Sequence, residues 1–477
     1  MTWSPTLFAG KRFAVVGLGH NGLPAARTLV AMGAHVTSWD DKPESRAAAT
    51  GLNVREPDMA GLDALILSPG IPHNLPRPHP IAAAAIAAGV PIWSDAELLF
   101  RAVRASGSRA RFAGITGTNG KSTTTALLAH ILAAARIPTT AGGNLGTPAL
   151  ALNLLPDHGV YVLEMSSYML ERLATLRFEV AAMLNLSPDH LDRHGDMAGY
   201  AAAKRHVFDR QQHGDLAVIG IDDAHSRAMA ETLRTGAANI VTVSEHGAAD
   251  IGRRGTVLFD THGPIADLAL AAALPGAHNA QNAAAAAAMA LHLGTPRAAI
   301  AEGIRTYPGL PHRQELAARR GNVRFINDSK ATNADSTARA LVCYDRILWI
   351  AGGMAKEGGI EPLAAFFPRI VETLLIGRDA PALAATLAAH RAPHRTLHTL
   401  EAAVAEAWRM ARHDGGEIVV LLSPACASWD QFTGFDQRGD RFRTLAQACV
   451  NEVPAETQRS PRNDAQCTQE GDGGHAP

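Results

Sequence analysis

Gly114-Ile115-Thr116-Gly117-Thr118-Asn119-Gly120-Lys121-Ser122-Thr123 is the stretch on which the reading of this chain turns. It follows the apolar run Phe112 to Ile115, which reads as a strand. It precedes Ala126, Leu127, Ile131 and Leu132, whose spacing predicts a helix. A glycine-rich turn at such a junction offers successive backbone N–H groups to phosphate oxygens at the positive end of the helix. The Lys121 ammonium then suits β and γ phosphates, and the Ser122 hydroxyl suits Mg²⁺. The common phosphate-loop pattern has glycine where Ile115 stands; here the glycines are Gly114 and Gly117. Phosphate binding by Gly117, Thr118, Asn119, Gly120, Lys121, Ser122 and Thr123 is nevertheless the expectation.

Working outward, a second glycine turn, Gly17-Leu18-Gly19-His20-Asn21-Gly22, follows the apolar run Phe13 to Val16. It opens a helix carrying Ala25, Ala26, Leu29 and Val30 that ends at Gly33, and the next strand, Ala34 to Trp39, is closed by Asp40. Alone, this G-x-G-x-x-G points to NAD, with Asp40 on a ribose. It equally fits a Rossmann-like domain that holds another nucleotide or diphosphate. Leu62 to Leu67 and Val90 to Ile92 read as further strands around a helix at Ile81 to Ala88. Beyond the central loop, strands are expected at Val160 to Leu163, Val180 to Leu184, Leu216 to Ile221 and Ile240 to Val243, with a packed helix in the Ala-rich run from Ala283. A third set comprises Val323 to Ile326, Ile347 to Ile350, Leu374 to Ile376 and Ile418 to Leu422. The expected fold is three consecutive α/β domains. These are a Rossmann-like N-terminal one at 1–105, a P-loop ATPase-like central one at 106–309 and a Rossmann-like C-terminal one at 310–453. Ala105 to Ala110 reads as a polar linker, and 454–477 as a disordered tail.

Composition agrees with this. A chain of 477 residues suits about three domains. Lys plus Arg at 44 against Asp plus Glu at 45 leaves no basic excess for a nucleic-acid partner. Hydrophobic content of 47% with 19% charged residues suits a folded globular chain. The start, Met1 to Lys11, lacks a secretory pattern, and no apolar run reaches the ~20 residues of a membrane span. The four cysteines form no CxxC pair. A cytoplasmic monomer without membrane insertion is expected.

Several further clusters could carry chemistry. Glu164 directly follows a strand, which suits a second magnesium ligand, although a helix cap or surface charge would also place an acid there. Asp189-His190-x-Asp192 suggests metal or a structural hydrogen bond. His278-Asn279-Ala280-Gln281-Asn282 puts amides before the Ala-rich helix, where Asn could simply cap. Leu310-Pro311-His312-Arg313 and Asn327-Asp328-Ser329-Lys330-Ala331-Thr332-Asn333 bring basic groups from another domain, which could reach a transferring phosphate only on closure, although exposed basic residues on a linker are commonly just solvated. Gly352-Gly353-Met354-Ala355-Lys356 and Ser423-Pro424-Ala425-Cys426-Ala427-Ser428-Trp429-Asp430-Gln431-Phe432 are chemically unusual loops. Cys426 has no acid–base partner nearby in sequence, which favours packing over nucleophilic attack.

Together these segments resemble the Mur ligase family over about residues 10 to 450. Gly117 to Ser122 is similar to that family's ATP loop, and so are Gly143-Asn144-Leu145-Gly146, Glu164-Met165-Ser166-Ser167 and His278-Asn279-x-x-Asn282 to its other motifs. Asn327 to Asn333 and Ser423 to Ser428 resemble the branch that adds D-glutamate. The resemblance implies ATP, two Mg²⁺ ions, UDP-N-acetylmuramoyl-L-alanine and D-glutamate. It implies a first domain that reads UDP rather than NAD, with His20, Asn21 and Asp40 near uridine and Ser68 and Gly70 near the diphosphate. It puts a carboxylated lysine at Lys204, holding metal with Glu164 and His190 while Ser122 holds the other ion. Asn144 and Ser167 become substrate contacts, Asn279 and Arg313 adenosine and phosphate contacts, and Asp328 a ribose contact. Lys330, Thr332, Lys356, Ser428 and the backbone of Phe435 fall where D-glutamate or the developing phosphate is held. The catalytic set is then Lys121, Lys204, His190 and Lys330. Trp429 stands where an aliphatic residue is expected, and Met354-Ala355 where Asp and Gly are. An alternative adder of another residue to a similar acceptor, an NAD-dependent oxidoreductase and a non-catalytic nucleotide sensor are the competing readings. The oxidoreductase lacks a hydride-transfer base near Gly17 to Gly22.

Overall fold

The computed structural model describes residues 2–144, 146–356 and 358–451. The tail expected at 454–477 and Leu145 of the Gly143–Gly146 motif lie outside the described residues. The described residues form two compact units: one runs to Glu315 and includes Arg339–Cys343, the other holds Leu316–Ala338 and Tyr344 to Asn451.

The first unit contains two parallel sheets. One has the order Asn53–Val54, His35–Trp39, Arg12–Val16, Ala64–Leu67, Ile92–Trp93. The other has the order Asn239–Val243, Leu216–Gly220, Val180–Met183, Arg111–Thr116, Val160–Glu164, Thr139–Gly143. Val160–Glu164 is buried along its whole length, as a parallel strand covered on both faces must be. The Ala-rich helix is longer than expected. It spans His278–His292 and packs on the helix Lys121–Ala134, with Ala283 to Ala287 wholly buried, because methyl side chains let two backbones approach closely. A small antiparallel sheet, Gly252–Arg254, Val257–Asp260 and Gly263–Asp267, was not apparent in the sequence.

The segment after the helix Asp95–Ala105 is tied down rather than a loose linker. Arg104 donates to the carbonyls of Ser108 and Ala110, and the Ser108 hydroxyl donates to Leu155 O. Ser94 caps that same helix, its Oγ accepting from Glu97 N at 3.3 Å, so Ser94-x-x-Glu97 reads as a capping box. The acid, however, is diverted. Fully buried, Glu97 accepts from the backbone N–H groups of Ala174, Thr175 and Leu176, from the Thr175 hydroxyl at 2.5 Å and from Arg101 Nε at 2.7 Å. One continuous core, including Leu98, Leu99, Phe112 and Leu150, lies behind this junction of the two sheets.

The second unit is built on a six-stranded sheet ordered Glu315–Arg320, Val323–Asn327, Ile418–Leu422, Ile347–Gly352, Ile370–Ile376, His394–His398. The pairings from Val323–Asn327 through His394–His398 are parallel. Phe325, Leu348, Val420 and Phe442 form its core. Among the described residues no helix is long and apolar enough to cross a membrane.

Burial alone would raise the Glu97 carboxyl, but its hydrogen bonds outweigh that and hold it below the ordinary range. A depressed folded-state pKa contributes stability that is complete above the unfolded value and is lost as pH falls through the folded one. Wild type is therefore expected to lose thermal stability below about pH 4. Glu97→Gln is expected to cost about 2 kcal/mol at pH 7 and to flatten that acid limb; thermal melts across pH 3 to 7 check both.

Candidate active site

Gly120 sits in left-handed backbone (φ 84°) just before the helix Lys121–Ala134, and a Cβ there would lie 2.2 Å from Asn282 Oδ1. The loop is pinned from the neighbouring strand end, with Thr118 N donating to Asn185 O at 2.8 Å and Asn119 N to Asn185 Oδ1 at 2.9 Å. Lys121 Nζ curls back to Gly117 O (2.9 Å) and Thr118 O (2.7 Å). Burial lowers its pKa, with Glu164 opposing and Arg313 adding to the shift. Ser122 and Thr123 are buried on the first helical turn.

Lys204 arrives from the helix Met197–Arg205 and is buried, its Nζ donating to the same Gly117 carbonyl at 2.9 Å. Burial, then the neighbouring Lys121, drives its pKa well below the ordinary lysine value. Two amines thus crowd one carbonyl. Glu164, also buried, is neither a helix cap nor a surface charge. Its Oε1 accepts from Asn144 Nδ2 at 2.7 Å, while Oε2 has no hydrogen-bond partner among the described residues. His190 has left-handed backbone (φ 53°), is half-exposed, packs its ring on Tyr168 and stands 3.4 Å from Asp189 Oδ2. Its pKa is lowered by burial and by Lys204 and Lys121, with Asp189 opposing. Ser167 is turned inward, its hydroxyl 2.9 Å from His194 Nε2, and His194 Nδ1 is 3.2 Å from Glu171.

Whether these groups suit a divalent cation is decided by donor chemistry. Among the described residues no three His, Cys, Asp or Glu side chains converge. Mg²⁺ needs few protein ligands when phosphates and waters complete its octahedron. The orphaned Glu164 oxygen and the Ser122 hydroxyl fit it, and an amine at Lys204 does not until it carries an oxygen.

At the carboxyl edge of the first sheet a cavity of about 460 Å³ is lined by His20, Asn21, Asp40, Ser68, Gly70 and Asn144 among others. The glycine turn there is packed shut. Ser68 Oγ donates to Gly17 O at 2.7 Å, and a Cβ on Gly17 would stand 2.6 Å from Ser68. Asp40 accepts from Leu18 N (2.6 Å) and Lys42 N (2.9 Å), so it ties the glycine turn to its own strand end. His20 Nε2 pairs with Gly146 O at 2.8 Å.

A second cavity, of about 240 Å³, is lined by Gly120, Asn185, Asp222, Gln281 and Asn282 among others. Asp222 was not picked out in the sequence. It follows a strand end and accepts from Gln281 Nε2 at 2.6 Å and Ser244 Oγ at 2.5 Å. Asn279 does not cap: it lies within the helix, donates to Pro275 O at 2.6 Å and accepts from Asn282 at 2.9 Å. Arg313 has a buried Nε with no hydrogen-bond partner among the described residues.

Within the second unit, the two branch-marking segments come together. Ser423 Oγ donates to Asp328 Oδ2 at 2.8 Å, Ser329 Oγ donates to Phe435 O at 2.7 Å, and Arg438 reaches Ser329 O and Cys426 O. Lys330 Nζ stands 5.5 Å from the Phe435 ring centroid, and Thr332 N donates to Lys330 O. Met354–Ala355 pairs antiparallel with Cys426–Ala427, a contact no periodicity announces, while Ala355 N donates to Asp379 at 2.8 Å. Ser428 is buried, Lys356 is exposed, and Trp429 is 67% exposed. Burial pushes the Cys426 thiol up to about 12, which agrees with packing rather than attack.

The fold and the loop around Lys121 define a nucleotide-binding α/β protein of the phosphate-loop class. Residues 115–290 match the family described as Mur ligase middle domain. A protein of Paramagnetospirillum magneticum named UDP-N-acetylmuramoylalanine–D-glutamate ligase is 49% identical over 453 residues, covering 93% of this chain and 98% of that one. A Caulobacter vibrioides protein of the same name is 46% identical over 94% of this chain and 97% of its own. Among solved structures, UDP-N-acetylmuramate-alanine ligase from Thermotoga maritima superposes with a TM-score of 0.59 at 18% identity, covering 92% and 99% of the two chains, which speaks to the fold alone. The chain belongs to the Mur ligase family.

A lysine whose folded pKa is depressed destabilises the folded state below the unfolded value, because the unfolded chain binds the proton better. Lys204→Met is therefore expected to stabilise the unliganded chain by about 1 kcal/mol at neutral pH, the gain fading as pH approaches about 10, while turnover is lost. Denaturant melts at pH 7 and pH 9.5, paired with activity, measure this.

Proposed function

We propose that this chain joins D-glutamate to UDP-N-acetylmuramoyl-L-alanine at the expense of ATP, a step in making peptidoglycan precursor. The observation that carries the reading is the extent of likeness to D-glutamate-adding ligases, above 45% identity across more than nine-tenths of both chains. The meeting of Asn327 to Asn333 with Ser423 to Ser428 in one unit supports it. ATP dependence goes with the family. We further assign residues 1–105 to the UDP-reading domain, 106–309 to the ATP domain and 310–453 to the amino-acid domain, working as a single chain in the cytoplasm.

A carboxylate and an ammonium do not condense in water, because the departing group would be oxide. Transfer of the γ-phosphoryl of ATP to the alanyl carboxylate forms a C–O–P acyl phosphate and releases ADP. The neutral amine of D-glutamate then attacks the acyl carbon, the C–O bond to phosphate breaks, inorganic phosphate leaves and the nitrogen sheds its proton. Gly117 to Thr123 hold the phosphates, and Lys121 releases its loop carbonyls to neutralise the anions it brings together. His20, Asn21, Asp40, Ser68 and Gly70 hold the nucleotide sugar. Asn144 orients Glu164, and Ser167 braces the adjoining turn. Asn279, Arg313 and Asp328 serve ATP. Lys330, Thr332, Lys356, Ser428 and the Phe435 backbone serve D-glutamate and the departing phosphate.

Two Mg²⁺ ions would be held by Ser122, Glu164, His190 and a carbamate on Lys204, and would supply charge neutralisation between the two anions. The low pKa of Lys204 supports carbamate formation, since only a neutral amine adds CO₂, losing one proton as the N–C bond forms.

A panel of amino acids offered with ATP and UDP-N-acetylmuramoyl-L-alanine tests the proposal. Phosphate release is expected with D-glutamate and at least about 100-fold less with L-glutamate, D-aspartate, L-alanine or diaminopimelate. Release with another member of the panel, or with none, rejects it.

A further inference from the structure

Arg172 is 2% exposed, yet among the described residues no carboxylate lies within ion-pair distance of it. The adjacent Glu171 faces His194 instead. The guanidinium is satisfied by neutral acceptors: Nη1 donates to Leu67 O (2.7 Å) and Ser68 O (3.0 Å), Nη2 to Ile71 O (2.5 Å), and Nε to His73 Nδ1 (3.3 Å). His73 can accept because burial pushes it down to about 4 and keeps it neutral. A second cation joins from the same side: Arg193 Nη1 donates to Gly70 O at 3.1 Å while its guanidinium covers the Tyr168 ring. Ser68, Gly70 and Ile71 all line the 460 Å³ cavity of the first sheet. Burial, and then Arg193, lowers the Arg172 pKa to about 10, the mark of a cation held at electrostatic cost.

Burying a charge without a counter-ion is expensive. We propose that Arg172 is the positioning residue for the diphosphate of the bound nucleotide, fixing the Ser68–Ile71 turn from behind and leaving there a positive charge that only an anionic ligand complements. This rests on the nucleotide-sugar reading above and deepens it. Nothing about the uracil or ribose requires Arg172, so the residue distinguishes charged from uncharged forms of one nucleoside. A purely structural clamp would not.

Calorimetric titration of the full chain with UDP and with uridine tests this on wild type, Arg172→Met and Arg172→Lys. Wild type is expected to prefer UDP. In Arg172→Met, UDP binding should weaken by about tenfold or more while uridine stays within about twofold, so that the preference collapses. Arg172→Lys should retain the preference at reduced affinity, and it carries the test if the Met variant does not fold. Unchanged UDP binding in Arg172→Met, an equal loss of both ligands, or a Lys variant blind to the diphosphate each overturns the proposal. A wild type that binds neither ligand overturns the nucleotide-sugar reading itself, and this inference with it.

Discussion

The carbonyl of Gly117 receives two amines, the half-buried Lys121 from its own helix and the buried Lys204 from another, and most of what is chemically unusual in this chain follows from that crowding. Neither amine has an ion-pair partner within reach among the described residues, and the Glu164 carboxylate that acts on both electrostatically keeps one oxygen unpaired. In a low-dielectric interior such an arrangement is costly until anions enter. Burial relieves part of that cost by favouring a neutral Lys204. The turn can hold its shape meanwhile because Asn185 pins it through backbone and side chain, independently of any guest.

The same economy appears at the junction of the two sheets in the first unit, in reciprocal form. Glu97, from the helix after the first sheet, accepts three backbone N–H groups of residues 174–176. Arg172, a few residues earlier in that strand-to-strand connection, donates to the carbonyls of Leu67, Ser68 and Ile71. An acid grips donors in one direction and a base grips acceptors in the other. Both are single residues whose neighbours in sequence give no sign of the role. Helix Asp95–Ala105 even presents a regular capping box, whose glutamate is taken by a loop about 80 residues further on.

In the second unit, the Ser423–Asp328 hydrogen bond and the bonds from Arg438 to the Ser329 and Cys426 backbone hold the loops bearing Lys330 and Ser428 at one end of the sheet. Buried polar groups satisfied in this way specify one arrangement of otherwise irregular loops. The short ladder between Met354–Ala355 and Cys426–Ala427 does the same for the Lys356 loop. The unusual pair Met354-Ala355 is accommodated because that ladder uses backbone groups.

Local signals were enough for much of this. Short apolar runs located nearly every buried parallel strand, and glycine turns located both strand-to-helix junctions, because period, turn chemistry and helix start are properties of neighbours in sequence. The edge strand Thr139–Gly143 and the meander from Gly252 to Asp267 escaped, being half-exposed or Gly-rich and so weakly patterned, and the start of the Ala-rich helix at His278 escaped because its first turn is polar although buried. Residue types alone also made Lys121 and Glu164 candidates, and the family resemblance added Lys204. That Lys204 shares a carbonyl with Lys121, that Glu164 keeps an open oxygen, that Asp40 ties the glycine turn to its own strand end and that Arg172 stands unpaired behind another turn could be decided only by the folded chain. Desolvation and pairing are set by groups that lie far away in sequence and meet only when the sheets pack.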